Sequence, residues 1–284
     1  MLRIRADARA QRDSEGQHYD ARFVTPPDRA EFLRWVGEIH PLWEDRFSLH
    51  HPPPAGQSQR RLLRPVYWLG NWQFACLGYY HPPKGMKNRC VAAEPFPPVM
   101  ARWVAEIERL TRAMFRGPEL PRDWHLNTCL VNLYGNRREG ERWVDSARVG
   151  EHKDFEPGPV ASVSLGERAL FQFVASSRPG QRDAVVSQQW LDDGSLQIFG
   201  GQRFKQHLFH RVQRVDHRGG QRFSLQHVSD FETRRVNLTF RYVPDPDVIP
   251  YARLPAEDRE DVRGYMATLA KHSEFFARQL AQER

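Results

Sequence analysis

The stretch Glu151-His152-Lys153-Asp154-Phe155-Glu156 decides how the chain is read. His152 and Asp154 stand two residues apart, and in an extended strand side chains at i and i+2 point to the same face. An imidazole nitrogen and a carboxylate oxygen then converge on one point, two thirds of a 2-His-1-carboxylate facial triad. Such a triad leaves three adjacent positions open on Fe(II), room for a bidentate co-substrate and for O2. A His-x-Asp alone is common by chance, so its meaning depends on what flanks it.

A second histidine must come from a distant strand. His207 and His210, in Lys-Gln-His-Leu-Phe-His-Arg-Val-Gln, are the two candidates. Further on, Arg235, Asn237, Thr239 and Arg241 alternate with Val236, Leu238 and Phe240. On a strand, the first four share one face and the apolar three share the other. A polar stripe is ordinarily a solvated face. Beside a His-x-Asp, the alternative is a polar barrel interior with two arginines aimed at an anionic ligand, since a buried carboxylate is best held by a bidentate guanidinium.

The 284 residues suit one large domain, and 40% hydrophobic content with 12% aromatics is enough for a core. No apolar run approaches the roughly 18 residues of a membrane span. The N-terminus lacks the apolar segment of a secretory signal, so a cytoplasmic (or nuclear), non-secreted protein is expected. Cys76, Cys90 and Cys129 are scattered and odd in number, which argues against a disulfide framework and for a reducing compartment. The formal charge of +7 is weighted toward arginine, which forks onto phosphate oxygens and stacks on bases, a tilt toward nucleic acid.

In order, residues 1–22 read as a flexible basic tail. Asp28 is placed to N-cap a helix carrying Phe32, Leu33, Val36 and Ile39, which Pro41 ends. His50 and His51 fall in a Pro-rich surface loop. The aromatic run from 62 to 80 reads as one or two strands turning at Gly70-Asn71. A second helix is expected over 98–115, burying Val99, Trp103, Ile107, Leu110 and Met114. From His125 the pattern changes to short β-branched and aromatic runs broken by Gly and Pro, the mark of an antiparallel sandwich or jelly roll. Past Pro244, a final helix from about Ala256 presents Val262, Met266, Leu269 and Phe276. The fold class is therefore α+β, mainly β, a double-stranded β-helix with helices on one sheet. Residues 23–124 hold the N-terminal helices, 125–244 the catalytic core and 245–284 a helical extension.

In this order, NTCLVNLYGN, EHKDFE, VSLGERALFQF, DGSLQIFGG, FHRVQ and RRVNLTFR resemble the AlkB family of Fe(II)/2-oxoglutarate dioxygenases over residues 126–241. The resemblance implies that His152, Asp154 and His210 hold Fe(II), with 2-oxoglutarate and O2 as co-substrates. It assigns Arg235 to the keto-acid end of 2-oxoglutarate and Arg241 to its far carboxylate. Asn132 and Tyr134 hydrogen-bond the co-substrate, and Asn237 and Thr239 line the same pocket. The implied reaction is oxidative dealkylation of N-alkylated bases such as 1-methyladenine and 3-methylcytosine, releasing formaldehyde and succinate. The implied partner is nucleic acid, with single-stranded DNA or RNA favoured.

The aromatic run before the second helix resembles the family's nucleotide-recognition lid, so Trp72 and Phe74 become candidates for the ring that stacks on a flipped base. Trp68 and Tyr67 stand behind them, and Glu156 matches an acidic position near the base. Two departures stand out. Phe155 interrupts the acidic run, and the basic segment 213–234, with His217 and His227 read as loop residues, is longer than a simple hairpin. The same oxygenase chemistry on a protein or small molecule, and a catalytically silent nucleic-acid-binding module, are the rival readings.

Overall fold

The computed structural model describes residues 16–282 apart from 48–49, 51, 54, 57–60, 79–89, 176–183, 214, 216–218 and 220–222. His51, His217 and most of the expected tail lie outside the described residues. The tail ends sooner than expected, because Gln17–Asp20 is already a strand, β1. Next come helix α1 (Pro26–Glu38) and strands β2 (Val66–Leu69), β3 (Asn71–Trp72) and β4 (Val91–Ala92). Helix α2 (Pro98–Met114) leads into β5 (Thr128–Glu139), β6 (Arg142–Asp145) and β7 (Val149–His152). Strands β8 (Val160–Gly166), β9 (Ala169–Ala175), β10 (Ala184–Leu191) and β11 (Ser195–Phe199) follow. A short π-helical turn, Gln202–His207, precedes β12 (Phe209–Gln213), β13 (Leu225–Val228) and β14 (Phe231–Arg241). The chain closes with α3 (Ala256–Leu269) and α4 (Glu274–Ala281), two helices where the sequence reads as one.

The larger sheet runs β1-β11-β8-β14-β5-β2, with β13 added to β14 and β6 to β5. A smaller sheet, β10-β9-β12-β7, lies opposite. This is the jelly-roll core with helices on one face. The alternation of β14 builds it: Val236, Leu238 and Phe240 point into the helix-side core, with Phe32, Trp103, Ile107, Met266 and Phe276. Arg235, Asn237 and Arg241 on the other face are also buried, so the polar stripe is an interior and not a solvated surface. Between the sheets a second cluster gathers Val160, Phe171, Phe173, Leu191, Phe199 and Phe204.

Local details differ from the sequence reading for identifiable reasons. Thr25, not Asp28, caps α1: its Oγ1 accepts from the Asp28 backbone N–H. The Asp28 carboxylate is instead taken by Arg102 of α2. Met114 is 37% exposed because the buried stripe of α2 runs through Trp103, Ile107 and Thr111 at a spacing of four and on to Phe115, which leaves Met114 off it; the Thr111 hydroxyl donates to the Ile107 carbonyl. His227 lies on β13, half-buried, and not in a loop. Gly70, at φ +75°, makes the expected turn, and a Cβ there would come within 2.0 Å of the Asn127 carbonyl oxygen. The three cysteines are free and buried. Among the described residues, no helix is long and apolar enough to cross a membrane.

One buried acid makes stability depend on pH. Glu44 accepts hydrogen bonds from Trp68 Nε1 and the Ala75 backbone N–H, both at 3.1 Å, yet burial pushes its carboxyl up from 4.5 to about 7. Between those values the folded state holds a proton that the unfolded state has released, so stability falls as pH rises through this window and levels off above it. A difference of that size corresponds to roughly 3 kcal/mol. Denaturant melts at pH values on either side of the window are expected to show this loss, and Glu44→Gln is expected to flatten it. Equal pH slopes in the two proteins would assign the dependence elsewhere.

Candidate metal centre

His152 ends β7, and Asp154 lies just beyond the strand, yet the two still converge. His210 on β12 pairs directly with His152 in the smaller sheet, bringing their rings to 4.2 Å between centroids. Asp154 Oδ2 stands 3.3 Å from His210 Nε2. One ligand atom from each of the three lies within 4.8 Å of the others. His207, at the end of the π-helical turn, is exposed and outside this group, so of the two candidate histidines His210 is the one brought in.

The donor set fits a divalent metal. The Gly150 carbonyl accepts from His152 Nδ1 at 2.8 Å, which puts the proton on Nδ1 and leaves a lone pair on Nε2. Burial, then the neighbouring His210, lowers the His152 imidazole to about 3, so it is neutral at ordinary pH. Burial alone would raise the Asp154 carboxyl, but Arg241 and His210 outweigh it and hold it well below the usual carboxylate range. Arg241 Nε and Nη2 both approach Oδ1, at 2.8 and 2.6 Å, while buried Oδ2 accepts no hydrogen bond. The carboxylate thus offers one occupied oxygen and one directed at the histidines.

These groups open onto a cavity of about 430 Å³ between the sheets, a size ordinary for small-ligand sites. Asn132, Tyr134, Asn237, Thr239 and Arg241 line it with the triad, and Phe171, Leu191 and Phe199 supply apolar wall.

The family model for the 2OG-Fe(II) oxygenase superfamily matches residues 16–241. The chain belongs to that superfamily. Its cofactors are Fe(II), 2-oxoglutarate and O2. No curated protein matches the chain. Among solved structures it is similar to OsALKBH1, at 21% identity and a TM-score of 0.47, covering 82% of this chain and 100% of that one. A 2OG-Fe(II) oxygenase-family oxidoreductase from Burkholderia pseudomallei is similar at 12% and 0.39, covering 82% and 92%. YcfD, a ribosomal oxygenase from Escherichia coli with cobalt and succinic acid, is similar at 12% and 0.30, covering 90% and 62%.

Several expected site residues of this oxygenase sit elsewhere. Trp72 and Phe74 are fully buried, stacked at 4.7 Å, with Phe276 edge-on to Trp72 and Tyr265 stacked on Phe74. They belong to the helix-side core and line no part of the cavity, so neither can stack on a base there. Glu156 is buried behind the wall, 3.5 Å from Arg241 Nε, with both oxygens lacking hydrogen bonds, and does not face the cavity. Arg241 stands at the metal end and not at the far end expected of it, and Arg235 is not among the residues that line the cavity. Arg241 lies on Asp154, at the metal end, whereas Arg235 donates to Ser164 Oγ and Asn237 Oδ1 and lies over the Tyr134 ring.

Sequence reasoning also missed residues the cavity uses. Arg64 donates to Asn132 Oδ1 at 2.6 Å and has its guanidinium over Tyr134, but nothing in its local sequence sets it apart from Arg60 or Arg61. Phe155, 39% exposed, lines the cavity mouth. Its signal was present as the break in the acidic run.

Proposed function

We propose that this oxygenase is an AlkB-type dealkylase, removing N-alkyl groups from bases such as 1-methyladenine and 3-methylcytosine in single-stranded nucleic acid. The observation that carries the reading is the basic rim of the cavity: Arg46, Arg61, Arg148, Lys153 and Arg211 line its mouth. Glu151, the acid among them, is engaged by Arg211 at 2.5 Å. A phosphate backbone is attracted to such a rim, and arginine forks bind its oxygens.

His152, Asp154 and His210 hold the iron, which supplies oxidation of the alkyl group coupled to decarboxylation of 2-oxoglutarate. Arg241 fixes Asp154 through Oδ1 and keeps it ionised, leaving Oδ2 for the metal. Tyr134, Asn132 and Asn237 would orient the co-substrate, with Arg235 and Arg64, both over the Tyr134 ring, as the cations nearest its far carboxylate. Phe155, partly exposed and lining the cavity, takes the base-facing position first assigned to Trp72 and Phe74. Phe171 and Phe199 keep water from the reacting end.

Formaldehyde and succinate are to be followed together, with and without a single-stranded oligonucleotide carrying 3-methylcytosine. Formaldehyde in step with succinate is expected, and Phe155→Ala is expected to weaken coupling between them. Succinate unaffected by any alkylated oligonucleotide would move the substrate to a protein or small molecule.

A further inference from the structure

Beyond Tyr134, β5 leaves the cavity and continues as one arm of a hairpin with β6. Its alternation is regular: Leu130, Asn132 and Tyr134 line the cavity, while Cys129, Val131 and Leu133 face the helix-side core. Continued outward, the same alternation puts Asn136 and Arg138 on the cavity side. Arg138 pairs with Trp143 and Asn136 with Asp145, and directly opposed residues share a face. Trp143 and Arg138 therefore stand on the outward extension of the surface that holds Tyr134. At 3.3 Å per residue, Arg138 lies about 13 Å beyond Tyr134.

The hairpin is braced at its base. The Ser146 backbone N–H and Oγ both donate to the Gly135 carbonyl at 3.0 Å, and the Arg138 N–H donates to Asp230. Gly135 permits this close packing, since a Cβ there would lie 1.8 Å from the Glu232 carbonyl oxygen. Trp143 is nonetheless 50% exposed, the most exposed large hydrophobic residue among those described. Covering the exposed half of such a ring is favourable, so the braced hairpin offers a flat apolar face to a partner that can stack on it.

The charge on that face selects the occupant. Asp145 is turned inward, accepting from Ala147 N and standing 3.7 Å from Arg234. Arg138 is steadied on the hairpin by donating from Nε to the Gly140 carbonyl, and Arg148 follows at the cavity mouth. On the opposite face, Glu139 is held by Arg137. An aromatic ring beside guanidinium groups, leading to a basic cavity mouth, is the arrangement that stacks a nucleobase and neutralises its phosphates.

We propose that the β5–β6 hairpin is a stacking platform for a base flanking the target nucleotide, with Trp143 as the ring and Arg138 as the phosphate contact. This rests on the nucleic-acid reading of the cavity, so binding and turnover are to be measured separately. Anisotropy of a fluorescein-labelled, unmodified twelve-nucleotide single strand reads the platform. Formaldehyde release from alkylated oligonucleotides reads the reaction. Trp143→Ala is expected to weaken binding of the twelve-mer by roughly 5- to 100-fold, the range of a lost base–aromatic stack, and Trp143→Phe to restore most of it. Arg138→Ala is expected to weaken binding and flatten its salt dependence. Circular dichroism of each variant reports folding. Wild-type binding of the strand by Trp143→Ala, or failure of the folded wild type to bind it, overturns the platform. Binding that depends on Trp143 without formaldehyde from any alkylated strand upholds the platform and overturns the dealkylation reading.

Discussion

Asp154→Ala is expected to abolish Fe(II) binding and 2-oxoglutarate turnover, and, unlike His152→Ala, to lose substantial stability as well. The difference follows from what each side chain faces. His152 is neutral, and its Nδ1 satisfies only the Gly150 carbonyl, so its removal takes away a metal donor and strands no charge. Asp154 is a buried anion 2.6 Å from Arg241. Removing one partner of a buried ion pair costs about 3–5 kcal/mol, because the other charge stays out of water. Glu156 remains 3.5 Å from Arg241 Nε as a second counter-charge, which puts the expected loss at the lower end of that range. Iron titration and denaturant melts separate the effects. Both variants should bind no iron tightly, and only Asp154→Ala should shift the melt by several kcal/mol on this reckoning. Equal melts would mean that Arg241 draws its support from Glu156 and not from the metal ligand.

The parts of this site that were legible in the sequence are those fixed by strand periodicity. Arg235, Asn237, Thr239 and Arg241 share a face because the β repeat is two residues, whatever the rest of the chain does. Their burial between two sheets is equally readable once a His-x-Asp demands an interior. What periodicity cannot give is polarity along the strand. The same stripe fits with either arginine at the metal, and the order depends on how β7 and β12 lie across β14. The aromatic run failed for a related reason. Trp72 and Phe74 become core because α3 and α4, nearly two hundred residues later, cover them with Tyr265 and Phe276. Phe155 is the converse: an apolar residue left 39% exposed beside the cavity, legible only as an interruption among acids. Thr25 prevailed over Asp28 at the α1 cap because Arg102, on another helix, claims the aspartate.

The contact of Arg241 with Asp154 leads to a second large expected effect. Six residues of strand separate Arg235 from Arg241, about 20 Å at the β rise, so the two cannot exchange roles by side-chain motion. With Arg241 committed to Asp154, the far carboxylate of 2-oxoglutarate must look for its cation near Tyr134, where both Arg235 and Arg64 lie over the ring, at 4.8 and 5.2 Å. A charge-assisted hydrogen bond to a buried carboxylate is worth about 1.5–3 kcal/mol, so Arg235→Met is expected to raise the KM for 2-oxoglutarate roughly 10- to 100-fold. Its effect on iron affinity should be small, since Arg235 touches Ser164 and Asn237 and not the triad. Arg241→Met should do the reverse, weakening iron binding and stability through Asp154 with a lesser change in KM. A KM raised by Arg64→Met but not by Arg235→Met would move the anchor to Arg64. A KM raised chiefly by Arg241→Met, with iron affinity intact, would restore the order first read from the sequence. The two variants thus report on opposite ends of one co-substrate, and the ratio of their effects on KM and on iron affinity fixes its direction in the cavity.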